Sequence, residues 1–382
     1  LINKNENEEI SNCNDAGRFC FDSFSLEDYS LYMALKFYFG GIEWDQWEDE
    51  IRMHKKSAVA HYTKLLQSEI GFWKFCQYKF YSQWKKLKKY ANKKDIKIIG
   101  DIPLYMALDS ADVWAHGELF ELDERKKPIH VAGVPPDCFS EDGQLWGNPI
   151  YNWKKMEHTG FAWWYQRMRS NANLYDVIRI DHFIGIVNYW SIPADSQTAI
   201  NGKWKKGPGK KLTKVIKKAT KGASIIAEDL GVVGDNVRAL IQKTGWPGMK
   251  ILLFAFDDEN GANEYLPHNY ASENCIVYGG THDNDTIVGY YKEKSDEEIK
   301  FVKQYLGISK KEDLPRAMIR CGYASIAKTA VFQMQDILAL DNSARMNCPS
   351  TVGTNWKWRM LPNQFTADHI RFLKKMCRLY NR

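Results

Sequence analysis

The stretch from Val177 to His182 reads VIRIDH, a short β-branched apolar run that stops at an acidic residue. Near-continuous runs of this kind are typical of strands that are buried on both faces of a parallel sheet. Four more runs end in the same way, at residues 96–101 (IKIIGD), 224–229 (SIIAED), 249–258 (MKILLFAFDD) and 275–283 (CIVYGGTHD). Together they predict five buried strands, and a shorter run at residues 331–335 predicts a sixth.

Segments with helical periodicity separate the strands, at residues 161–174, 212–220, 236–243 and 295–306. This alternation predicts an α/β fold with right-handed crossovers. Strands that repeatedly end in acidic residues favour a TIM (β/α)₈ barrel, because function in that fold lies where strand ends meet the following loops. A doubly wound sheet is the alternative, but the sequence contains no glycine-rich phosphate loop of the kind such folds usually carry.

The part of the chain before the first strand has a different pattern. Residues 45–90 show helical spacing of large apolar residues, and Gly71 is predicted to separate two helices there. We predict a disordered or linker-like start at residues 1–25, an inserted helical subdomain at 26–94 and the remaining catalytic barrel at 95–382. A barrel needs eight strands. Its first two strands are therefore expected upstream of this chain, which would make it an N-terminally truncated fragment.

Residues 112–153 show no regular period and are rich in glycine, proline, aspartate and aromatic residues. Long irregular insertions in compact domains are usually functional or disordered. The many aromatic residues argue against disorder. We therefore predict that this segment is a loop that lines the substrate site.

The composition disfavours several classes of protein. The 382-residue chain has a net charge of +6, but its lysines are scattered and no nucleic-acid reader module accompanies them, so no nucleic-acid partner is expected. The sequence contains no run of about 18 apolar residues, so no membrane span is predicted. The eight cysteines form no CxxC pair, which disfavours a zinc site and is typical of reduced thiols in a cytoplasmic protein. No pattern indicates the oligomeric state.

Four carboxylates follow the predicted strands directly: Asp101, Asp181, Glu228 and Asp283. A retaining glycoside-cleaving enzyme needs one carboxylate as nucleophile and a second as acid and then base, about 5–5.5 Å apart. Arg179 lies two residues before Asp181 on one strand, so both side chains point to the same side and the guanidinium favours an ionised nucleophile. Glu228 follows an apolar run, where desolvation raises the pKa and suits a general acid.

Asp283 is suited to accept hydrogen bonds from sugar hydroxyls, and His182 and His282 are suited to donate to them. Two other interpretations stay open. The acidic residues are also common helix N-caps, and five of these side chains offer ligands for a divalent ion, namely Asp181, His182, Glu228, His282 and Asp283. No spacing such as HExxH supports the metal site. The residues alone therefore predict a barrel hydrolase or transferase that acts on sugars.

An ordered set of motifs resembles the amylomaltase, or 4-α-glucanotransferase, family of the α-amylase clan. The resemblance covers nearly the whole chain. The motifs include IIGDIPLYMALDSADVWAH (98–116), AGVPPDCFSEDGQLWGNPIY (132–151), VIRIDHFIG (177–185), AEDLGVV (227–233), GMKILLFAFDD (248–258) and GGTHDND (279–285). Cys138 and Cys348 stand where an aromatic residue is expected, which affects the affinity of subsites rather than the chemistry.

The resemblance implies a (β/α)₈ barrel with inserted helical subdomains and transfer between a donor and an acceptor α-1,4-glucan (maltodextrin), without a metal or organic cofactor. It assigns Asp181 as nucleophile, Glu228 as acid/base and Asp283 as transition-state stabiliser. It also implies the substrate-binding residues Asp101, Trp146, Arg179, His182, Asp258, His282 and Asn347. Hydrolysis of the same bond, or a catalytically silent glucan-binding fragment, is the alternative function.

Overall fold

The computed structural model describes residues 23–136, 140–231, 233–256, 261–349, 351 and 353–382. The chain forms two compact units, Leu1–Thr244 and Gly245–Arg382. The predicted start at 1–25 lies almost wholly outside the described residues. The boundaries predicted for the helical subdomain and the barrel stay predictions.

The first unit contains a three-stranded parallel sheet and a four-stranded antiparallel sheet. Its strands are β1 (Ile99–Ile102), β2 (His130–Val134), β3 (Gln144–Pro149), β4 (Val177–Ile180), β5 (Asn188–Pro193), β6 (Lys203–Lys206) and β7 (Ser224–Ala227). The parallel sheet has the order β1-β4-β7. Ile178, Ile180 and Ala227 are fully buried, as the continuous apolar runs predict.

The antiparallel sheet has the order β3-β2-β5-β6, and it corrects the prediction of an irregular loop at residues 112–153. That segment contains β2 and β3, which pair with a register shift between Val131 and Gly133. The glycine is required there, because a Cβ at Gly133 would lie 2.1 Å from the Gln144 carbonyl oxygen. A bulge of this kind interrupts the two-residue period by which strands are found in a sequence.

The second unit contains the parallel sheet β10-β9-β8. Its strands are β8 (Gly248–Ile251), β9 (Cys275–Tyr278) and β10 (Thr329–Val331). The strand predicted to run on to Phe256 ends at Ile251 and continues as a 3₁₀ helix over Leu252–Phe256. The sixth strand was expected at 331–335, but it is β10, and a short helix already begins at Met334.

A helix lies in each of the four segments that were predicted to be helical. In chain order they are α1 (Ser23–Tyr38), α2 (Asp49–Arg52), α3 (Lys56–Leu65), α4 (Gln67–Asn92), α5 (Ala111–Ala115), α6 (Trp153–His158), α7 (Ala162–Leu174), α8 (Ile184–Val187), α9 (Lys210–Ala219), α10 (Asp235–Thr244), α11 (Ile287–Lys292), α12 (Lys300–Leu306), α13 (Leu314–Ala324), α14 (Met334–Ile337) and α15 (Ala367–Tyr380). In α9, Leu212, Ile216 and Ala219 are buried at helical spacing and form the stripe that packs on α7.

The helix break predicted at Gly71 is wrong. Gly71 lies inside α4, and the chain instead breaks at Leu66, whose φ of −105° and ψ of 29° are not helical. A Cβ at Gly71 would meet nothing within 4 Å. The residue therefore costs the helix only the intrinsic penalty of glycine, about 1 kcal/mol. Among the described residues, none of the helices has the length and apolar character needed to cross a membrane.

Candidate active site

Arg179 is the buried cation at the carboxyl ends of β1 and β4. It lies opposite Asp101 in the sheet register, and its Nη1 donates to both oxygens of Asp101, at 2.7 and 2.6 Å. The same nitrogen is 3.1 Å from Asp181 Oδ1. Burial lowers the pKa of Arg179, but the negative charges of Asp101, Asp181 and Glu228 outweigh burial and raise the pKa above its usual value. The group therefore stays protonated.

Asp181 and Glu228 are each placed at the first position after a strand of the parallel sheet. The Asp181 N–H donates to the Ile102 carbonyl oxygen at 3.0 Å, and the Glu228 N–H donates to the Ile180 carbonyl oxygen at 3.1 Å. These bonds continue the sheet ladder by one residue beyond each strand. The predicted nucleophile and acid/base therefore lie at the same edge of one sheet.

Glu228 is nearly inaccessible, with 7% of its surface exposed. Burial is the main reason that its pKa is raised to about 8, and repulsion from Asp181 adds to it. Arg179 and two backbone hydrogen bonds oppose the rise. Those bonds come from the N–H of His182 to Oε2, at 2.6 Å, and from the N–H of Leu230 to Oε1, at 2.7 Å. A carboxyl with this balance holds a proton at neutral pH, as a general acid requires.

His182 contacts both Glu228 and Trp146 of β3. Its backbone has a φ of 49°, in the left-handed region that non-glycine residues seldom adopt. Its ring meets Trp146 edge-on, with the centroids 4.8 Å apart, and lies 6.3 Å from the Tyr105 ring. Burial lowers the pKa of His182 to about 4, so the ring is neutral. Within the described residues, neither His182 Nε2 nor the Tyr105 hydroxyl has a hydrogen-bond partner.

In the second unit, Asp283 follows β9 and is held by a distant segment. Asn347 Nδ2 donates to Asp283 Oδ1 at 2.6 Å. Arg345 Nη2 donates to the Asp283 carbonyl oxygen at 2.6 Å, and Arg345 Nε donates to the Asn347 carbonyl oxygen at 2.8 Å. His282 Nε2 lies 3.4 Å from Asp283 Oδ2. The structure thus brings together three of the four site residues that the sequence predicted in this unit, His282, Asp283 and Asn347.

Trp356 is a neighbour of this cluster that the sequence did not single out. Its ring is 5.0 Å from the His282 ring and is 61% exposed. Its backbone is also left-handed, with a φ of 61°, and its N–H donates to the Met346 carbonyl oxygen at 2.7 Å. Arg345 was likewise missed. Arg345 lies two residues before Asn347, and Trp356 lies nine residues after it. Both are in a segment with no clear periodicity, where sequence patterns carry little information.

Two predicted features lie outside the described residues, the substrate-binding Asp258 and the substitution at Cys138. The metal alternative named Asp181, His182, Glu228, His282 and Asp283. The Arg179 guanidinium, 3.1 Å from Asp181 Oδ1, already supplies a positive charge to the first of these side chains. In the described ranges there is no group of three or more His, Cys, Asp or Glu side chains arranged to hold a metal.

Comparison with known proteins gives a consistent family. A family model described as 4-alpha-glucanotransferase (Glyco_hydro_77) matches residues 2–364. A 4-alpha-glucanotransferase of Clostridium butyricum is 48% identical over 359 residues, which cover 94% of this chain and 73% of that protein. One of Thermus thermophilus is 45% identical over 361 residues, which cover 93% of this chain and 72% of that protein.

Solved structures agree with the sequence relatives. The amylomaltase of Streptococcus agalactiae, in complex with acarbose, is 40% identical, and it matches with a TM-score of 0.93 over 100% of this chain and 76% of that chain. The amylomaltase of Corynebacterium glutamicum is 16% identical and shares the fold, with a TM-score of 0.75 over 97% of this chain and 56% of that chain. The predicted fold class, a (β/α)₈ barrel with inserted helices, is confirmed. On its sequence and its fold, the chain belongs to the 4-alpha-glucanotransferase family.

Proposed function

We propose that the chain moves α-1,4-glucan segments from a donor to the 4-hydroxyl of an acceptor glucan or glucose, by a retaining double displacement. One observation carries the proposal. A buried arginine lies against Asp181, while the neighbouring Glu228 is buried and holds a proton. A retaining mechanism requires one ionised carboxylate as nucleophile and one protonated carboxyl group as acid, and these two environments favour those two states.

In the first step, Asp181 attacks the anomeric carbon, and the bond to the leaving glycosidic oxygen breaks. Glu228 gives its proton to that oxygen, so the shortened glucan leaves as an alcohol. In the second step, Glu228 takes the proton of the acceptor 4-hydroxyl, whose oxygen attacks the anomeric carbon and releases the Asp181 carboxylate. The second displacement restores both the starting configuration and the protonation of the enzyme.

Asp283 stabilises the positive charge that develops on the sugar in both transition states. Its hydrogen bond from Asn347 leaves the other carboxylate oxygen beside His282. We assign glucan binding to Asp101, Arg179, His182 and Trp146 of the first unit, and to His282 and Asn347 of the second. We assign Trp356 to the same task, because its exposed indole, which lies beside the His282 ring, offers the flat apolar surface on which sugar rings stack.

Incubation with maltotriose tests the proposal. Transfer produces glucose together with a ladder of longer maltodextrins, and Asp181→Asn is expected to abolish both. Hydrolysis is the competing outcome, since water and a glucan hydroxyl compete for the same intermediate. It would give glucose and maltose without the ladder. Bound glucan without turnover would instead favour a catalytically silent protein.

We also infer a cytoplasmic location for the chain. The cysteines in the described residues are reduced thiols and do not form disulfides: Cys76, Cys275, Cys321, Cys348 and Cys377. Disulfides persist mainly in oxidising compartments, and free thiols fit a reducing one. Cell fractionation tests this inference, and recovery of the protein in a secreted fraction would contradict it.

A further inference from the structure

The catalytic loop of the second unit, defined here as residues 279–287, begins and ends against one buried carboxyl group. Asp336 is 1% exposed, and its Oδ1 accepts a 2.7 Å hydrogen bond from the Ile287 N–H at the end of the loop. At the start of the loop, a Cβ placed on Gly279 would lie 3.5 Å from Asp336 Oδ2. Both ends of the segment that carries Asp283 therefore lie beside Asp336, and the Ile287 end is hydrogen-bonded to it.

Gln335, the residue before Asp336, is hydrogen-bonded to residues 344–347, the second segment that contacts Asp283. Gln335 is 3% exposed, and its Nε2 donates to the Ala344 carbonyl oxygen at 3.2 Å. Ala344 directly precedes Arg345, which donates to the Asp283 carbonyl oxygen. Two residues further on, Asn347 donates to the Asp283 carboxylate. The short helix α14 thus contacts both the catalytic loop, which carries Asp283, and the 344–347 segment, which donates hydrogen bonds to Asp283.

We infer that Gln335 and Asp336 form a buried anchor that positions Asp283 for catalysis, Asp336 through the catalytic loop and Gln335 through the 344–347 segment. The inference rests on the proposed role of Asp283. Neither residue touches the reacting atoms by this account, so both are positioning residues. Their effect is transmitted by hydrogen bonds to the backbone.

The chemistry of the anchor supports a role beyond packing. A buried carboxyl group is costly, and an apolar residue of similar volume would fill the same space at lower cost. Burial raises the pKa of Asp336 to about 7; the Ile287 hydrogen bond opposes the rise, and the nearby Asp285 adds to it. Within the described residues Asp336 Oδ2 has no hydrogen-bond partner. The hydrogen bond that Asp336 does make is the one that its Oδ1 accepts from the Ile287 N–H of the catalytic loop.

A double-mutant cycle in the whole chain, with maltotriose as substrate, tests this inference. Asp336→Leu is expected to lower kcat by about 10- to 100-fold, the loss typical when the partner that orients an active group is removed. The KM for maltotriose is expected to change by less than about twofold, because the loss arises in the transition state. Asp336→Asn keeps an oxygen acceptor for the Ile287 N–H and is expected to restore most of kcat.

The second half of the cycle repeats Asp336→Leu in an Asp283→Asn background. If Asp336 acts through Asp283, the added substitution costs little there, because coupled residues are not additive. Equal losses in both backgrounds, or an unchanged kcat in a folded Asp336→Leu protein, would overturn the inference. Full activity of the single variant Asp283→Asn would refute the proposed role of Asp283, and the anchor with it. This outcome differs from a failure of the anchor alone, in which Asp283→Asn is inactive and Asp336→Leu keeps its kcat.

Two further variants keep the test decisive if Asp336→Leu does not fold. Gln335→Met removes the donor to the Ala344 carbonyl oxygen at nearly constant volume, and it is expected to lower kcat with the same dependence on Asp283. Tyr270→Phe is the matched control, since it also removes a buried polar group of the second unit, and kcat is expected to stay unchanged. Equal effects of Gln335→Met and Tyr270→Phe would contradict the anchor.

Discussion

Arg179 Nη1 lies 3.1 Å from Asp181 Oδ1, and Arg179 is 6% exposed. Because the arginine is buried, the attraction between the two charges is stronger than between two charges in bulk water. Arg179→Met is therefore expected to lower kcat/KM by about 10²- to 10³-fold, as the loss of other preorganised charge partners does. Steady-state kinetics on maltotriose measure the effect.

The melting temperature of Arg179→Met is also expected to fall, because Asp101 loses its partner across the sheet. Arg169→Met on α7 is the matched control, since Arg169 is exposed, and both activity and melting temperature are expected to stay near the native values. Native kcat/KM in Arg179→Met would contradict the role of this arginine.

The raised pKa of Glu228 predicts how the activity changes with pH. The first step needs Glu228 protonated, so kcat/KM is expected to decline as the pH rises through about 8. A profile of kcat/KM from pH 5 to 10 measures this decline. A decline centred near the ordinary pKa of glutamate would show that burial does not protect the proton.

The same group predicts a change in stability with pH. Its folded-state pKa is raised from 4.5 to about 8, so its stabilising contribution is full below the unfolded value and is lost as the pH rises through the folded one. Glu228→Gln cannot ionise. The native chain therefore loses stability as the pH rises, and the variant does not. The melting temperature of Glu228→Gln minus that of the native chain is expected to increase from pH 5 to pH 9. A constant difference would contradict the raised pKa.

His182 is expected to position Glu228 through its left-handed backbone, since its N–H donates to Glu228 Oε2. Asparagine tolerates this conformation, whereas a β-branched valine is strained there by about 1–3 kcal/mol. Both substitutions remove the imidazole. The kcat of His182→Val is therefore expected to fall well below that of His182→Asn. Equal kcat values would show that only the ring matters.

Trp356 is expected to contribute to glucan binding rather than to folding, because most of its ring is exposed. Stacking of aromatic groups is worth about 0.5–1.5 kcal/mol, so Trp356→Ala is expected to raise the KM for maltodextrins by about 2- to 12-fold at an unchanged melting temperature. Trp204→Ala on β6 removes another half-exposed tryptophan and is the control. An equal KM in both variants would remove Trp356 from the binding site.

The sequence predicted the parts of the fold that leave a local pattern. Strands β4, β7 and β9 are buried on both faces, so their apolar runs are continuous, and an acidic residue directly follows β4 and β7. The pairing of Arg179 with Asp181 follows from their two-residue spacing along one strand. Strands β2 and β3 were missed because a bulge and tertiary pairing, rather than a periodic pattern, decide their course.

The contacts that complete the site lie far apart in the sequence. His182 and Glu228 are separated by 46 residues, and Asn347 and Asp283 by 64. No local signal predicts such bonds, because they depend on which loops the folded chain brings together. Family resemblance identified Asn347 as a binding residue, whereas its hydrogen bond to Asp283 became visible only in three dimensions.

Trapping of the covalent intermediate tests the central claim most directly. Glu228→Gln is incubated with maltotriosyl fluoride, whose fluoride leaves without a proton from the enzyme, so the first step proceeds and the second is slowed. Mass spectrometry of the digested protein is expected to find one maltotriosyl group on the peptide that contains Asp181. A label on another carboxylate, or no label while fluoride is released, would contradict the assignment of Asp181 as the nucleophile.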